Sequence, residues 1–222
     1  MPIDQAGGTE VDLHIWIDPI CPWSWLTSRW LVEVAPYRDV RITWRPMSLL
    51  LKHRLPAESP HFGRTSHALS LLRVLETVRV KEGDVATGRL YAEYGKHLHD
   101  QRNSVIDPKV ALARAGLDTS YSEASFHTSL DTTIRAHMAE GQALAGADAS
   151  LPLLAFTTKN DLRVGYSGPI VNRRLPLGDA LDLWDGFVLM AGVSGFWEIR
   201  RACTEPTDFR DLAEYESQRA TN

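Results

Sequence analysis

Apolar and polar residues recur along this chain in two different rhythms. Val11 to Ile17 is an apolar-rich run with the length of a strand. From Trp23 the period lengthens: Trp25, Leu26, Trp30, Leu31 and Val34 recur at helical spacing. That predicts a helix to about Val34, closed near Pro36 because proline disfavours helical dihedrals in the residue before it. Val40, Ile42 and Trp44 then alternate with Arg41, Thr43 and Arg45, so Val40 to Met47 reads as a half-buried strand. Strand, helix and strand in this order make a parallel pair joined by a right-handed crossover.

The texture changes at Leu49. Leu51 to Gly63 contains Pro56 and Pro60 and reads as a loop, and about Thr65 to Ala145 then shows helical spacing with no convincing strand. Leu69, Leu72, Leu75 and Val78 form one stripe, and Leu90, Tyr91, Tyr94 and Leu98 another. Asp107-Pro108 followed by Gly116 has the cap, first-turn proline and terminal glycine of a short helix. Tyr121 to His127 and Leu130 to Leu144 complete a block of four or five helices. Strand character returns in Leu151 to Phe156 and Leu162 to Tyr166, a hairpin across Thr157 to Asp161. After the break at Gly168-Pro169, Leu177 to Val193 makes a last helix with Leu181, Trp184, Val188 and Leu189 inward. The order is βαβ, helical block, ββα. It divides the chain into an N-terminal half at 10–50, a helical insertion at 51–146 and a C-terminal half at 147–215.

Composition narrows the function classes. With 222 residues, 44% hydrophobic and 23% charged, the chain is ordinary globular material. A net charge of −4 and the lack of a Lys/Arg run give no footprint for nucleic acid. The opening MPIDQAGGTE has no basic n-region or apolar h-region, and no later run has the length to cross a bilayer, so a soluble cytoplasmic protein with no membrane partner is expected. Cys21 and Cys203 lie far apart in unlike surroundings and do not read as a disulfide framework; Cys203 reads as a structural or semi-exposed thiol. His97 and His99, two apart, do not share a helix face, and no metal is expected. The sequence leaves the oligomeric state open, a homodimer included.

The chemistry concentrates at Asp18-Pro19-Ile20-Cys21-Pro22-Trp23-Ser24-Trp25, between the first strand and the first helix. Cys21 at a helix N-terminus faces unpaired N–H groups and the positive end of the helix dipole, which predicts a lowered thiol pKa and a nucleophilic thiolate. Pro22 suits the first helical turn, and Trp23 on the turn can wall an apolar substrate cleft. Three readings of Ser24 stay open: a hydroxyl donating to the thiolate, a substituted cysteine, or a helix-compatible polar residue. Arg102 and Asn103 can hold a carboxylate or a sugar, or simply be solvated.

The Cys-Pro-Trp turn resembles the active site of the DsbA-like branch of the thioredoxin-fold oxidoreductases, which carry Cys-Pro-x-Cys after the first strand. Ser24 stands where that family has its second, resolving cysteine. The βαβ, helical block, ββα order likewise resembles a thioredoxin fold with an inserted helical domain. That resemblance implies that Pro152 is the cis-proline facing the cysteine, with Leu151 beside the incoming group; Leu151, bulky and apolar, implies a less polar groove. Asp18 to Trp23, Ser28-Arg29-Trp30, Gly95 through His99-Asp-Gln-Arg-Asn103, Gly168-Pro169, Leu183-Trp184-Asp185 and Thr204-Glu205-Pro206 are similar to the mycothiol-dependent members, over about residues 11–210. The resemblance implies that the matched His99 stretch caps the active-site groove, which makes His99 a candidate general acid near the thiolate, against the commoner reading of a surface or helix-end histidine. The resemblance implies an oxidoreductase or thiol transferase in which Cys21 attacks a small disulfide or electrophile and a low-molecular-weight thiol, mycothiol or alternatively glutathione, resolves the adduct. An enzyme similar to the kappa-class glutathione transferases or isomerases, and a non-catalytic thioredoxin-fold binding protein, are the alternatives.

Overall fold

The computed structural model describes residues 11–158, 161–202 and 204–209, so the expectation for Cys203 lies outside the described residues. Its elements are β1 (Val11–Ile17), α1 (Pro22–Arg38), β2 (Val40–Pro46), α2 (Leu49–His53), α3 (Phe62–Gly95), α4 (Pro108–Arg114), α5 (Leu130–Ala145), β3 (Leu153–Thr157), β4 (Arg163–Ser167) and α6 (Leu177–Ala191). A π-helical turn over Lys96–Asp100 extends α3, and a 3₁₀ segment over Thr119–Phe126 precedes α5. The four strands form one sheet in the order β2-β1-β3-β4. β1 and β2 run parallel from Val11 opposite Val40 to Ile17 opposite Pro46, while β3 is antiparallel to both β1 and β4. This is the thioredoxin-type α/β arrangement, with the helices α2 to α5 between β2 and β3.

Strand alternation divides the core in two. Leu13, Ile15 and Ile17 of β1 join Trp25, Leu26 and Trp30 of α1, with Trp184 and Phe187 of α6, in one buried cluster. Trp16 of β1, with Leu153 and Ala155 of β3, belongs to a second cluster with Leu69 and Leu72 of α3 and Ile134 and Met138 of α5. The buried indoles find partners for their N–H groups: Trp16 Nε1 donates to the His137 carbonyl at 2.6 Å, and Trp30 Nε1 to the Ala180 carbonyl at 2.9 Å. Arg38 makes two 2.7 Å bonds to Asp185, tying α1 to α6, and Arg73 grips Asp131 at 2.7 and 2.9 Å, tying α3 to α5.

Three local features differ from the sequence reading. α1 continues through Pro36 and closes at Asp39, which is left-handed (φ 50) and whose N–H bonds Ala35 O. So close to the helix end the proline forfeits little, and the burial of Trp30, Leu31 and Val34 outweighs its bias against helix. Part of the stretch read as loop is the short helix α2, capped by Ser48, whose Oγ accepts from Leu51 N at 3.3 Å. α3 is broken at Gly83 (φ 80, ψ −176), a conformation that glycine adopts without steric cost.

Candidate active site

β1 ends at Ile17, the chain turns through Asp18–Ile20, and α1 begins at Pro22. Cys21 N donates to Asp18 O at 3.0 Å and Trp25 N to Cys21 O at 3.1 Å. Cys21 is thereby the N-cap of α1, extended at φ −82 and ψ 109, and its Sγ accepts from Ser24 N at 3.4 Å. The sulfur caps the helix as an Asp or Ser oxygen would, and lies at the positive end of the dipole. Pro22 occupies the first turn, where an N–H has no intrahelical acceptor.

The surroundings of the sulfur oppose this. Cys21 is only 5% exposed and packs in the cluster of Trp16, Met47, Leu69, Leu72, Met138 and Leu151, with Trp23 half-buried against it. Burial pushes the thiol pKa up, the Ser24 hydroxyl and N–H pull it down, the Asp18 carboxylate pushes it up again, and the Trp23 N–H pulls it down. The net direction is upward, which corrects the expectation of a depressed pKa. Helix-end geometry is local and legible in sequence, whereas desolvation depends on the tertiary packing of the cluster that buries Cys21, to which distant elements such as α3 and α5 contribute. Ser24 is completely buried, and its Oγ has no hydrogen-bond partner.

Asp18 is a functional candidate that the sequence reading quoted but gave no role. It is fully buried; Oδ1 accepts from Ile20 N at 3.1 Å and Oδ2 from Leu49 N at 2.8 Å. One carboxylate thus ties the cysteine turn to the start of α2. Burial raises its pKa to about 6, against the two backbone N–H bonds that lower it. A carboxylate at the end of a buried strand, just ahead of a reactive turn, was the available signal.

His99, 7% exposed, lies in the π-helical turn. Its Nε2 is 2.8 Å from Pro19 O. A carbonyl only accepts, so Nε2 carries the proton. Burial lowers the His99 pKa to about 4, the Pro19 bond opposes this, and Arg64 adds to the lowering. The ring is therefore neutral near pH 7, which weakens the reading of His99 as a general acid and makes it a brace on the turn. It stacks on Trp25 (centroids 6.3 Å, 18° apart) and under Phe209 (5.7 Å, 25°), and Trp25 Nε1 donates to Asp100 Oδ1 at 2.9 Å. The Leu151–Pro152 bond is cis, as is Gly168–Pro169, and Leu151 joins the apolar cluster of Cys21. Thr27 Oγ1 donates to Pro169 O at 3.1 Å, linking α1 to the second of these bonds.

The structure thus gathers Cys21, Pro22, Ser24 and Trp23 on one turn, with Leu151 against it. Arg102 and Asn103 are exposed and line a separate pocket with His99. Sequence reasoning missed that Met47, Leu69, Leu72 and Met138 share a buried cluster with Cys21, because that proximity is purely tertiary.

A sulfur-capped helix after the first strand of a thioredoxin-type sheet agrees with the comparisons to known proteins. A family model described as mycothiol-dependent nitroreductase Rv2466c matches residues 20–201. The chain belongs to this Rv2466c-like family. It is accordingly a thiol-dependent oxidoreductase with a DsbA-like thioredoxin fold. An uncharacterized protein of Mycobacterium tuberculosis, Rv2286c, is 29% identical over 210 residues, covering 93% of this chain and 87% of its own length. Among solved structures, the cytosolic disulfide reductase DsbM of Pseudomonas aeruginosa, in its structure with GSH, superposes with a TM-score of 0.52 at 17% identity, over 80% of this chain and 97% of that one. SCO1869 of Streptomyces coelicolor, described as a DsbA oxidoreductase, gives 0.52 at 16% identity, over 88% and 94%. At these identities the likeness is one of fold. No helix among the described residues is long and apolar enough to cross a membrane.

Proposed function

We propose that this member of the Rv2466c-like family works with a single thiol, in the cytoplasm, exchanging disulfides or electrophilic groups with a low-molecular-weight thiol, mycothiol by family and glutathione as the alternative. The observation that carries the reading is Ser24 buried under Cys21: the position from which a resolving thiol would act holds a hydroxyl. Cys21 as thiolate attacks one sulfur of a small disulfide, forming a Cys21–S–S bond while the other sulfur leaves as a thiolate and takes up a proton. Attack on the bound sulfur by a thiol from solution then releases a new disulfide and returns Cys21 as thiolate.

In the chain itself, Ser24 N–H and the helix dipole stabilise the sulfur anion, and the buried Ser24 hydroxyl, which has no hydrogen-bond partner in the structure, can turn its proton to the thiolate once that forms. His99 holds the Pro19 carbonyl and so fixes the turn. Pro22, Trp23, Leu151 and Pro152 flank the bound group, and the apolar surroundings favour compact, weakly polar substrates over peptides. Arg102 and Asn103 take the polar end of a longer thiol.

The test is mass spectrometry of the chain after exposure to oxidised mycothiol and, separately, oxidised glutathione. A stoichiometric adduct on Cys21 that a free thiol removes is expected. No adduct with either disulfide, with Cys21 still open to alkylation under denaturing conditions, sinks the reading.

A further inference from the structure

Away from the cysteine turn lies an open pocket of about 420 Å³, lined by Arg64, His99, Arg102, Asn103, Ser104 and Phe209 among others. None of Cys21, Pro22, Trp23, Leu151 and Pro152 lines it. Its charge is one-sided. Arg64 and Arg102 both face it, no Asp or Glu lines it, and neither arginine has a carboxylate partner among the described residues. His99 adds no negative charge. Two guanidinium groups without a counter-charge, around a concave surface, attract and orient oxyanions.

The backbone adds a second, independent observation. Gln101 N bonds Lys96 O at 2.9 Å and Asn103 N bonds His97 O at 3.1 Å, which closes the helical turn and leaves Arg102 left-handed at φ 57. Glycine is the usual occupant of such a position, and any other residue there costs about 1 kcal/mol. The left-handed turn, which Arg54 also adopts at the end of α2, here places Arg102 on the pocket rim. Phe209 and Leu98 supply an apolar wall, and Asn103, Ser104 and Thr207 supply hydrogen-bonding groups.

We infer that this pocket binds the carboxylate or phosphate of a small molecule whose apolar or flat body packs against Phe209. The oxyanion belongs either to glutathione, the alternative thiol, whose carboxylates mycothiol lacks, in which case the inference rests on the proposed thiol chemistry, or to a separate small anion. Through the bond from His99 to Pro19 O, the occupied pocket is one residue away from the cysteine turn.

The experiment uses the 222-residue chain, the Arg64→Met/Arg102→Met double variant and the Arg102→Gly variant. Benzoate and inorganic phosphate are titrated calorimetrically, and adduct formation on Cys21 is timed with oxidised glutathione, which carries carboxylates, and with neutral 2-hydroxyethyl disulfide. Binding of benzoate or phosphate about tenfold weaker in the double variant is expected. Arg102→Gly, which relieves the left-handed strain, should melt no lower than the parent and still lose affinity, which a purely structural arginine would not do. A rate loss of about tenfold with oxidised glutathione alone assigns the oxyanion to the thiol. Unchanged rates with both disulfides, alongside arginine-dependent benzoate or phosphate binding, assign it to a separate anion. If neither binding nor rate depends on the arginines, the inference is overturned. Should Cys21 react with neither disulfide, the thiol reading fails and the binding titrations still decide the pocket.

Discussion

Gly95, in the last turn of α3, lies against the indole of Trp25, so that a methyl group at position 95 would overlap the ring itself. The glycine is what lets α3 cross the start of α1 at this distance, and the contact seats Trp25 against His99 and Asp100. Gly95→Ala must push Trp25 or the helix aside. The expected result is a loss of about 1–3 kcal/mol on denaturant unfolding, the usual range for overpacking. Because Trp25 is one turn beyond Cys21, the alkylation rate of Cys21 should change as well. Unchanged stability together with an unchanged alkylation rate would count against this crossing as the seat of the turn.

Asp18 sets the acidity of the turn. Its negative charge raises the Cys21 pKa, so Asp18→Asn should lower the pH midpoint of Cys21 alkylation. Stability offers a second readout of the same residue. The folded pKa, about 6, lies above the ordinary 3.8, so its contribution is full below pH ~4 and is lost as pH rises through 6, by roughly 3 kcal/mol. The Asn variant should show a flatter stability profile across that window, measured by urea unfolding at pH 4 to 7.

Glu76 has the opposite sign. It is 1% exposed, makes two 2.8 Å bonds to Arg79 and lies 3.3 Å from His137 Nε2. Those partners outweigh burial and hold its pKa down at about 2 against 4.5. The stability it supplies is present above pH ~4.5 and lost as pH falls through 2, again of order 3 kcal/mol. Glu76→Gln should therefore unfold more easily at pH 7, by an amount in the range of a broken buried pair, ~3–5 kcal/mol. The gap between the variant and the parent should shrink as pH falls from 4.5 towards 2, and acid titrations of both chains monitored by circular dichroism would show it.

Ser24→Cys restores the residue that DsbA-like turns carry. Residues three apart at a helix start have Cα atoms about 5 Å apart, within disulfide range. The variant should form an internal disulfide between Cys21 and the introduced thiol on oxidation, and the long-lived mixed disulfide proposed for the parent should disappear. Intact-mass measurements before and after alkylation distinguish the two products. Persistence of the adduct on the variant would mean that the serine is not what leaves the first step unresolved.

The sequence carried the sheet and the turn because both are local patterns. The alternation in β2, the helical spacing of Trp25, Trp30 and Val34, and the cysteine between two prolines each lie within a dozen residues. What escaped depends on distant neighbours. Pro36 inside α1 and the helix at α2 are boundary effects that burial and a Ser48 cap decide. Gly83 offered freedom without saying that it would be used. The direction of the Cys21 pKa escaped for the same reason as these boundaries, since the cluster that buries Cys21 draws side chains from distant elements such as α3 and α5. So did the pocket, where Arg64 and Phe209 meet Arg102 from either side of it in the sequence.

The serine beneath Cys21 also sets the stoichiometry of the enzyme's equilibrium with its surroundings. A two-cysteine turn that closes on itself releases two thiols for each disulfide consumed, so its reduced-to-oxidised ratio follows the square of the thiol concentration over the disulfide concentration. A one-cysteine turn exchanges one thiol for one disulfide, and on the proposed chemistry the fraction of Cys21 carrying an adduct follows the simple ratio of the two. Diluting or concentrating the whole thiol pool then leaves that fraction unchanged. On that proposed chemistry the site reads how oxidised the pool is and is blind to how large it is.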